Sequence, residues 1–71
     1  MTPRQLVTIT KMMGLYKISK IGRAAFHPVW AEVTFTRGGY ANIFEDGRAQ
    51  YFEPRGDHGR FAAIHTSPAP F

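Results

Sequence analysis

The stretch VWAEVTFTRGGYANIFEDGRAQYFE, residues 29–53, carries the strongest structural signal in the chain. Three segments rich in β-branched and aromatic residues follow one another: Val29–Arg37, Tyr40–Glu45 and Arg48–Glu53. Gly38-Gly39 and Asp46-Gly47 separate them. Such dipeptides favour two-residue hairpin turns, because those turns need the positive φ angles that glycine adopts easily. The stretch therefore predicts three antiparallel strands joined by two tight hairpins.

Two-residue turns would set a definite register, in which Phe35 faces Asn42 and Phe44 faces Ala49. Because side chains alternate between the faces of a strand, one face becomes the predicted core: Ala31, Val33, Phe35, Tyr40, Phe44, Ala49 and Tyr51. The outer face is mostly polar and carries three large apolar side chains: Trp30, Ile43 and Phe52. In the same register three charged residues share one row of that face: Glu32, Glu45 and Arg48.

The residues before this stretch predict a helix. Thr2 and Gln5 are spaced as a capping box around Pro3, which suits the first helical position. Three apolar residues then recur on one helical face: Leu6, Ile9 and Met13. Residues 3–13 are therefore predicted to be helical, with Gly14 ending the helix in the left-handed conformation.

Two further segments predict strands at the ends of the sheet. Residues 15–22 alternate as an edge strand does, with lysines that discourage pairing with another chain, and residues 61–66 predict a last strand. The expected fold class is α+β, with a single N-terminal helix packed on one face of an antiparallel four- to five-stranded meander sheet. We expect one compact domain over residues 1–66 and an extended C-terminal tail over residues 67–71.

The composition excludes several classes of site. The 71 residues include no cysteine, which removes disulfides and thiolate metal sites, so stability must come from packing. No apolar run approaches the roughly 20 residues of a membrane span, and lysines interrupt each apolar stretch near the N-terminus. We therefore expect a cytoplasmic protein without a membrane partner.

The positive charge is concentrated near the N-terminus. The net charge is +4, and the first 24 residues contain no acid and five basic residues: Arg4, Lys11, Lys17, Lys20 and Arg23. A basic element attached to a near-neutral body steers toward acidic partners, including nucleic acid. A solvated surface that only keeps the protein in solution explains the same pattern.

The segment EPRGDHGR, residues 53–60, is the main candidate for chemistry. Asp57, His58 and Arg60 have the side chains of a base, an acid and an anion binder. Pro54 and two glycines are also what a turn between strands needs. No second catalytic group is fixed near His58, so the segment is interpreted as a turn. No catalytic residue, metal site or cofactor is assigned.

The segment MMGLYKISKIG, residues 12–22, resembles the start of the small HicA-type ribonuclease toxins, which have a double-stranded-RNA-binding-like fold. The resemblance covers about the first third of the chain. The family's catalytic histidine follows its glycine in a Gly-Ser-His pattern, whereas Gly22 is followed by Arg23-Ala24-Ala25. The family also ends in a helix, while a strand and a proline-containing tail are predicted here. The ribonuclease activity is therefore not transferred.

Two hypotheses of function remain. The preferred one is a non-enzymatic module that regulates or inhibits a host or cognate protein stoichiometrically, and its predicted contact residues are Trp30, Ile43, Phe52 and Arg48. Small cysteine-free modules of this kind are common among phage and mobile-element proteins that block host machinery. The alternative is a nucleic-acid-binding module that uses the N-terminal helix and the following strand, through the five basic residues named above. The predicted opposition of Glu32 and Glu45 favours a protein, because carboxylates repel phosphates, and a small-molecule substrate is not expected.

Overall fold

The structure is a computed structural model that describes residues 1–14, 16–23, 27–56 and 59–71. Its elements in chain order are one helix and five strands: α1 Pro3–Met12, β1 Ile18–Arg23, β2 Val29–Phe35, β3 Tyr40–Phe44, β4 Ala49–Arg55 and β5 Arg60–Ser67. The strands pair in that same order, and each pair is antiparallel. The predicted α+β fold, with an N-terminal helix and a meander sheet, is confirmed.

The start of α1 is the capping box that the sequence predicts. The Gln5 N–H donates to Thr2 Oγ1 over 3.2 Å, and the Thr2 N–H donates to Gln5 Oε1 over 2.9 Å. The end of the helix is different. The Met13 N–H donates to the Thr10 carbonyl and the Gly14 N–H to the Lys11 carbonyl, each three residues earlier. Gly14 does not have a positive φ. The prediction of a left-handed Gly14 cap was therefore wrong, because a tightened last turn satisfies these carbonyls instead.

Both central hairpins use the same three-residue turn. The Phe35 carbonyl accepts from the Gly38 N–H over 3.2 Å, and the Phe44 carbonyl accepts from the Gly47 N–H over 2.9 Å. The Phe35 N–H donates to the Gly39 carbonyl, and the Phe44 N–H donates to the Arg48 carbonyl. Gly38 and Gly47 have φ angles of +89° and +96°. A turn followed by a left-handed glycine and a bulge is the usual three-residue hairpin connection. The prediction of two-residue turns was wrong.

The longer turns change the register and exchange the two faces of β3. Ala41 now faces Val33, and Ile43 faces both Ala31 and Ala49. Relative to the predicted pairing, both hairpins are shifted by an odd number of residues, and an odd shift moves every side chain of a strand to the other face. Ile43 and Ala41 are consequently fully buried, not on the outer face. Tyr40 and Phe44, which were predicted to be in the core, lie on the opposite face.

The core lies between α1 and the face of the sheet that carries Ala41 and Ile43. It consists of nine buried residues: Ile9, Met13, Ala31, Val33, Phe35, Ala41, Ile43, Ala49 and Tyr51. Three of the seven sheet positions in this set are alanines, and the largest fully buried side chains are Met13, Ile43 and Val33. Tyr16, which follows the helix, packs against this core. Its ring centroid lies 4.9 Å from that of Phe35 and 5.6 Å from that of Tyr51.

The chain after β5 returns toward the second hairpin. β5 extends to Ser67, and residues 68–71 have no regular secondary structure. A Cβ atom on Gly47 would lie 2.8 Å from the Phe71 ring and 3.2 Å from Ala69 Cβ. The last residues therefore pack against the turn that carries Gly47.

Gly39 provides a test of the hairpin geometry. Its φ is +88°, and a Cβ atom there would lie 2.7 Å from the Phe52 carbonyl oxygen. We expect Gly39→Ala to lower the free energy of unfolding by about 2 kcal/mol or more, because the left-handed conformation alone costs an alanine roughly 1–2 kcal/mol. Urea unfolding followed by circular dichroism measures the loss. The control is Gly22→Ala, where no heavy atom lies within 4 Å and φ is not positive. Equal stability of the two variants would contradict the observed turn.

Tyr51 gives an expected pH dependence. Burial of its phenol raises the pKa of Tyr51 above the ordinary value of 10.0. Above about pH 10 the tyrosine of the unfolded chain ionises while the folded state keeps its proton, so the free energy of unfolding should fall as the pH rises. Tyr51→Phe should remove the contribution of Tyr51 to this fall in the free energy of unfolding. Urea titrations at pH 8 and pH 10.5 measure the difference. Tyr40→Phe, on the opposite face, is the control, and an identical pH slope in both variants would contradict the assignment.

Candidate functional site

The face of the sheet opposite α1 is the candidate site. In the part of the chain that the structure describes, no secondary-structure element lies over it. We call this surface the open face and define it by the side chains that alternate with the core positions: Lys20, Glu32, Thr34, Tyr40, Asn42, Phe44, Gln50, Phe52, Phe61, Ala63 and Thr66. Antiparallel sheets often expose one polar face, so the aromatic residues on this one require an explanation.

Three of these aromatic residues form one cluster. Tyr40 and Phe52 are cross-strand neighbours whose ring centroids lie 4.7 Å apart at an interplanar angle of 13°. The Phe61 ring contacts Tyr40 edge-on, with 5.0 Å between centroids, and Phe61 is 48% exposed. Aromatic pairs in these geometries stabilise each other by about 0.5–1.5 kcal/mol beyond the area that they bury. We call these three residues the aromatic cluster, and their mutual contacts hold an apolar surface in a fixed arrangement.

A polar row crosses the middle of the open face next to the aromatic cluster. Asn42 lies between Glu32 on β2 and Gln50 on β4. The Oδ1 atom of Asn42 is buried and makes no hydrogen bond with the described residues. An unsatisfied buried acceptor costs roughly 1–3 kcal/mol, so Asn42 is held at this position against a loss of stability. A depression of about 580 Å³ lies between Glu32, Asn42 and the aromatic side chains of Tyr40 and Phe61.

The structure separates the four predicted protein-contact residues. Phe52 lies in the aromatic cluster, whereas Ile43 is fully buried in the core and is not available to a partner. Trp30 lies at a β-bulge, is half-buried and packs against the core, and the Arg23 guanidinium lies 3.9 Å from the centre of its ring. The expectation of one patch formed by Trp30, Ile43 and Phe52 was therefore wrong, because it depended on the two-residue turns.

Arg48 is engaged within its own turn. Its N–H donates to Asp46 Oδ1 over 3.0 Å, and its Nε donates to Asp46 Oδ2 over 2.7 Å. The backbone hydrogen bond is the largest cause that lowers the pKa of Asp46 below its ordinary value. The Arg48 guanidinium also lies 5.3 Å from the Phe44 ring. Arg48 therefore borders the open face as part of an ordered turn.

The five basic residues of the N-terminal third are not brought together on one surface. Arg4 and Lys11 are exposed on α1, which packs on the core face, whereas Lys20 lies opposite Thr34 on the open face. Lys17 precedes β1, and Arg23 at its end donates from Nε to the Trp30 carbonyl over 3.1 Å. The sheet thus divides the basic residues between its two sides.

The predicted opposition of Glu32 and Glu45 was also wrong. Glu32 faces Asn42, while Glu45 lies in the second turn, where its carboxylate is 3.2 Å from His27 Nδ1. One carboxylate, that of Glu32, therefore remains in the middle of the open face. The open face therefore has one carboxylate fewer to repel the phosphates of a nucleic acid than the sequence predicted, but Glu32 still repels them.

The segment with possible chemistry falls partly outside the described residues. Asp57 and His58, the suggested base and acid, are among the residues that the structure does not describe, as are Leu15 and the connection 24–26. Arg55 and Arg60 pair at the end of the β4–β5 hairpin, and Gly56 and Gly59 have positive φ angles. The described residues contain no group of three or more metal-binding side chains. Within the same residues, no helix is long and apolar enough to cross a membrane.

Tyr40 and Phe61 are functional candidates that the sequence reasoning missed. Tyr40 was assigned to the core by the predicted register, and Phe61 was treated only as the start of a strand. A Phe-x-x-Gly spacing occurs at both turns, Phe35 to Gly38 and Phe44 to Gly47. This repeated spacing fits three-residue turns, which place Tyr40 on the outer face, although the same glycines also suit two-residue turns.

The comparisons with known proteins identify no relative. No protein-family model matches the chain, and no curated protein or solved structure is significantly similar to it. The resemblance to the HicA-type toxins therefore has no support beyond the motif.

The assignment of core and open face leads to a direct test. Ile43→Ala should lower the free energy of unfolding by about 2–5 kcal/mol, because it removes a fully buried side chain. Phe61→Ala removes a larger side chain but should lower the free energy of unfolding by less than about 1.5 kcal/mol. Phe61 is 48% exposed, so the substitution mainly removes its aromatic contacts. Urea unfolding of both variants measures the difference. A larger loss for Phe61→Ala would reverse the assignment of the faces.

Proposed function

We propose that this chain is a non-enzymatic binding module that regulates or inhibits a protein target stoichiometrically, and that it binds this target through the open face. The observation that supports this most is the aromatic cluster, on a face over which none of the described residues form a helix. Following the expectation from the sequence, the target is a cytoplasmic host or cognate protein of the kind that phage-type modules block.

The composition of the open face suits a protein partner. Interfaces between proteins have apolar, often aromatic anchors at their centre and polar residues around them. The aromatic cluster supplies the anchors, and the row that contains Glu32, Asn42 and Gln50 supplies the polar groups. Because Tyr40 and Phe52 already stack on each other, little side-chain entropy remains to be lost on binding.

The spacing of these groups restricts what the partner presents. Tyr40 and Asn42 are alternate residues of β3, which places them about 6–7 Å apart along the strand. A partner must therefore place an apolar side chain and a donor at about this separation, which residues three or four apart on a helix satisfy. The carboxylate of Glu32 next to Asn42 favours a cationic donor. We infer a partner helix with an apolar residue one turn from an arginine or lysine.

Nucleic acid is the second candidate, and one observation favours it. Lys20, Thr34, Tyr40 and Phe52 occupy consecutive strands in one row, so a cation lies in line with two aromatic rings. Proteins that bind single strands combine such basic and aromatic groups. Against this, Glu32 lies beside the same row, and the other cations of the N-terminal third are not on this face. We therefore rank nucleic acid below a protein.

A site-specific crosslink tests the proposed surface. We expect p-benzoylphenylalanine at Thr34, which is exposed on the open face, to crosslink one protein in nuclease-treated extracts of the source cells. The same group at Thr8, exposed on α1, is the matched control and should not crosslink that protein. Calorimetry with the purified partner should give one partner per chain. Thr34→Arg should weaken this binding at least tenfold, and Lys11→Gln should leave it unchanged.

Two results would overturn the proposal. The first is crosslinking of equal strength from positions 34 and 8, or none from 34. The second is micromolar binding of single-stranded DNA or RNA that weakens steeply with salt and is lost in Lys20→Gln, which would establish the nucleic-acid alternative.

A further inference from the structure

A second candidate site lies on the helix side of the sheet, beyond the end of α1. It is a cavity of about 500 Å³, a volume in the usual range of small-molecule pockets. Phe35 and Tyr51 of the core lie at its base, and Tyr16 and Ile64 also line it. Phe52 of the aromatic cluster also lines the cavity, whereas Tyr40 and Phe61 do not, so the cavity adjoins the surface proposed to bind a protein and differs from it in most of its residues.

The base of the cavity is aromatic. The rings of Phe35 and Tyr51 are nearly parallel, with an interplanar angle of 9° and 6.3 Å between their centroids. The Tyr16 ring is stacked on that of Phe35 and remains 40% exposed. Ile64, which interrupts the pairing of β4 with β5 at a bulge, is also 40% exposed. Two solvent-accessible apolar side chains therefore border an aromatic surface.

One end of the cavity is closed by the first hairpin turn. Gly38 lines this end together with Pro54, and a Cβ atom on Gly38 would lie 3.2 Å from Pro54 Cγ. The turn and β4 thus approach each other closely at this point.

The charged groups that line the cavity have a positive balance. Lys17 and Arg37 both line it, and neither forms an ion pair with another described residue. Glu53 also lines it, but its Oε1 atom lies 2.8 Å from Arg55 Nη2. Because the only described carboxylate of the lining is already paired, the two cations remain available to an anion.

We propose that this cavity binds a planar aromatic molecule that carries one anionic group, such as a carboxylate, sulfonate or phosphate. The ring system lies against Tyr16 and Ile64 above the Phe35–Tyr51 base, where dispersion and burial of apolar area stabilise it. The anionic group lies at the mouth and pairs with Lys17 and Arg37. A cationic ligand would be repelled, and a neutral ring would lack the electrostatic part of the binding free energy.

Two dyes of nearly the same shape test the proposal. 8-Anilinonaphthalene-1-sulfonate is an aromatic anion with a planar naphthalene ring system, and N-phenyl-1-naphthylamine is its neutral counterpart without the sulfonate. We expect the sulfonate to bind the folded protein with 1:1 stoichiometry and micromolar affinity, at least tenfold more tightly than the neutral dye. The double substitution of Lys17→Gln with Arg37→Gln should weaken sulfonate binding about tenfold, the product of two exposed ion pairs at roughly threefold each. It should leave the affinity of the neutral dye unchanged.

Matched variants separate this site from the rest of the surface. The double substitution of Arg4→Gln with Lys11→Gln removes the same charge from α1 and should not change sulfonate binding. Ile64→Trp should block the cavity and abolish binding of both dyes. Thr34→Arg, which tests the open face, should have no effect, so the two proposals fail independently. Near-ultraviolet circular dichroism and cooperative urea unfolding confirm that each variant is folded, since this sulfonate also binds loosely packed states.

Four outcomes would overturn the proposal. The first three are no sulfonate binding to the folded protein at millimolar dye, equal affinities for the charged and neutral dyes, and binding that survives Ile64→Trp in a folded variant. A loss of affinity in the Arg4 and Lys11 double variant equal to that in the Lys17 and Arg37 variant would also overturn it, because binding would then depend on net charge alone.

Discussion

The left-handed glycine at the third position of each central turn is the constraint on which the rest of the structure depends. Gly38 and Gly47 allow the hairpins to close after three residues, and this loop length sets which residues of β3 face α1. With loops of two residues, the rings of Tyr40 and Phe44 would lie beneath the helix. With loops of three, Ala41 and Ile43 lie there, and the helix packs on smaller side chains. The same geometry moves Tyr40 to the open face, where it forms the aromatic cluster.

Some parts of this fold could be predicted from the sequence because their causes are local. The capping box of Thr2 and Gln5 involves residues three positions apart, so it needs no knowledge of the sheet. The existence and order of the strands follow from β-forming residues between turn residues. The buried positions of β2 were correct for a related reason, since Val33 lies between Glu32 and Thr34 in its own strand.

The candidate site could not be predicted in the same way, because it depends on pairing between strands. Gly38-Gly39 provides a flexible residue for a loop of either length, so local preferences do not choose between them. The choice depends on packing: β3 alternates Tyr40, Asn42 and Phe44 with Ala41 and Ile43, and the first set has more aromatic area. Aromatic content alone therefore indicated the wrong face. The correct core set is Ala41 and Ile43, which contains no polar side chain. Placing Asn42 under α1 would bury its whole amide group, and burial of an amide without hydrogen bonds costs free energy.

A chain of 71 residues with one described helix can cover one face of a five-stranded sheet, and the other face must then be stable in contact with water or with a partner. Tyr40 and Phe52 bury part of each other by stacking, which limits the exposed apolar area without removing it. β4 connects the two candidate sites, because Tyr51 lies at the base of the helix-side cavity and the next residue, Phe52, both lines this cavity and belongs to the aromatic cluster. Strand alternation thus places the two candidate sites on adjacent residues of one strand.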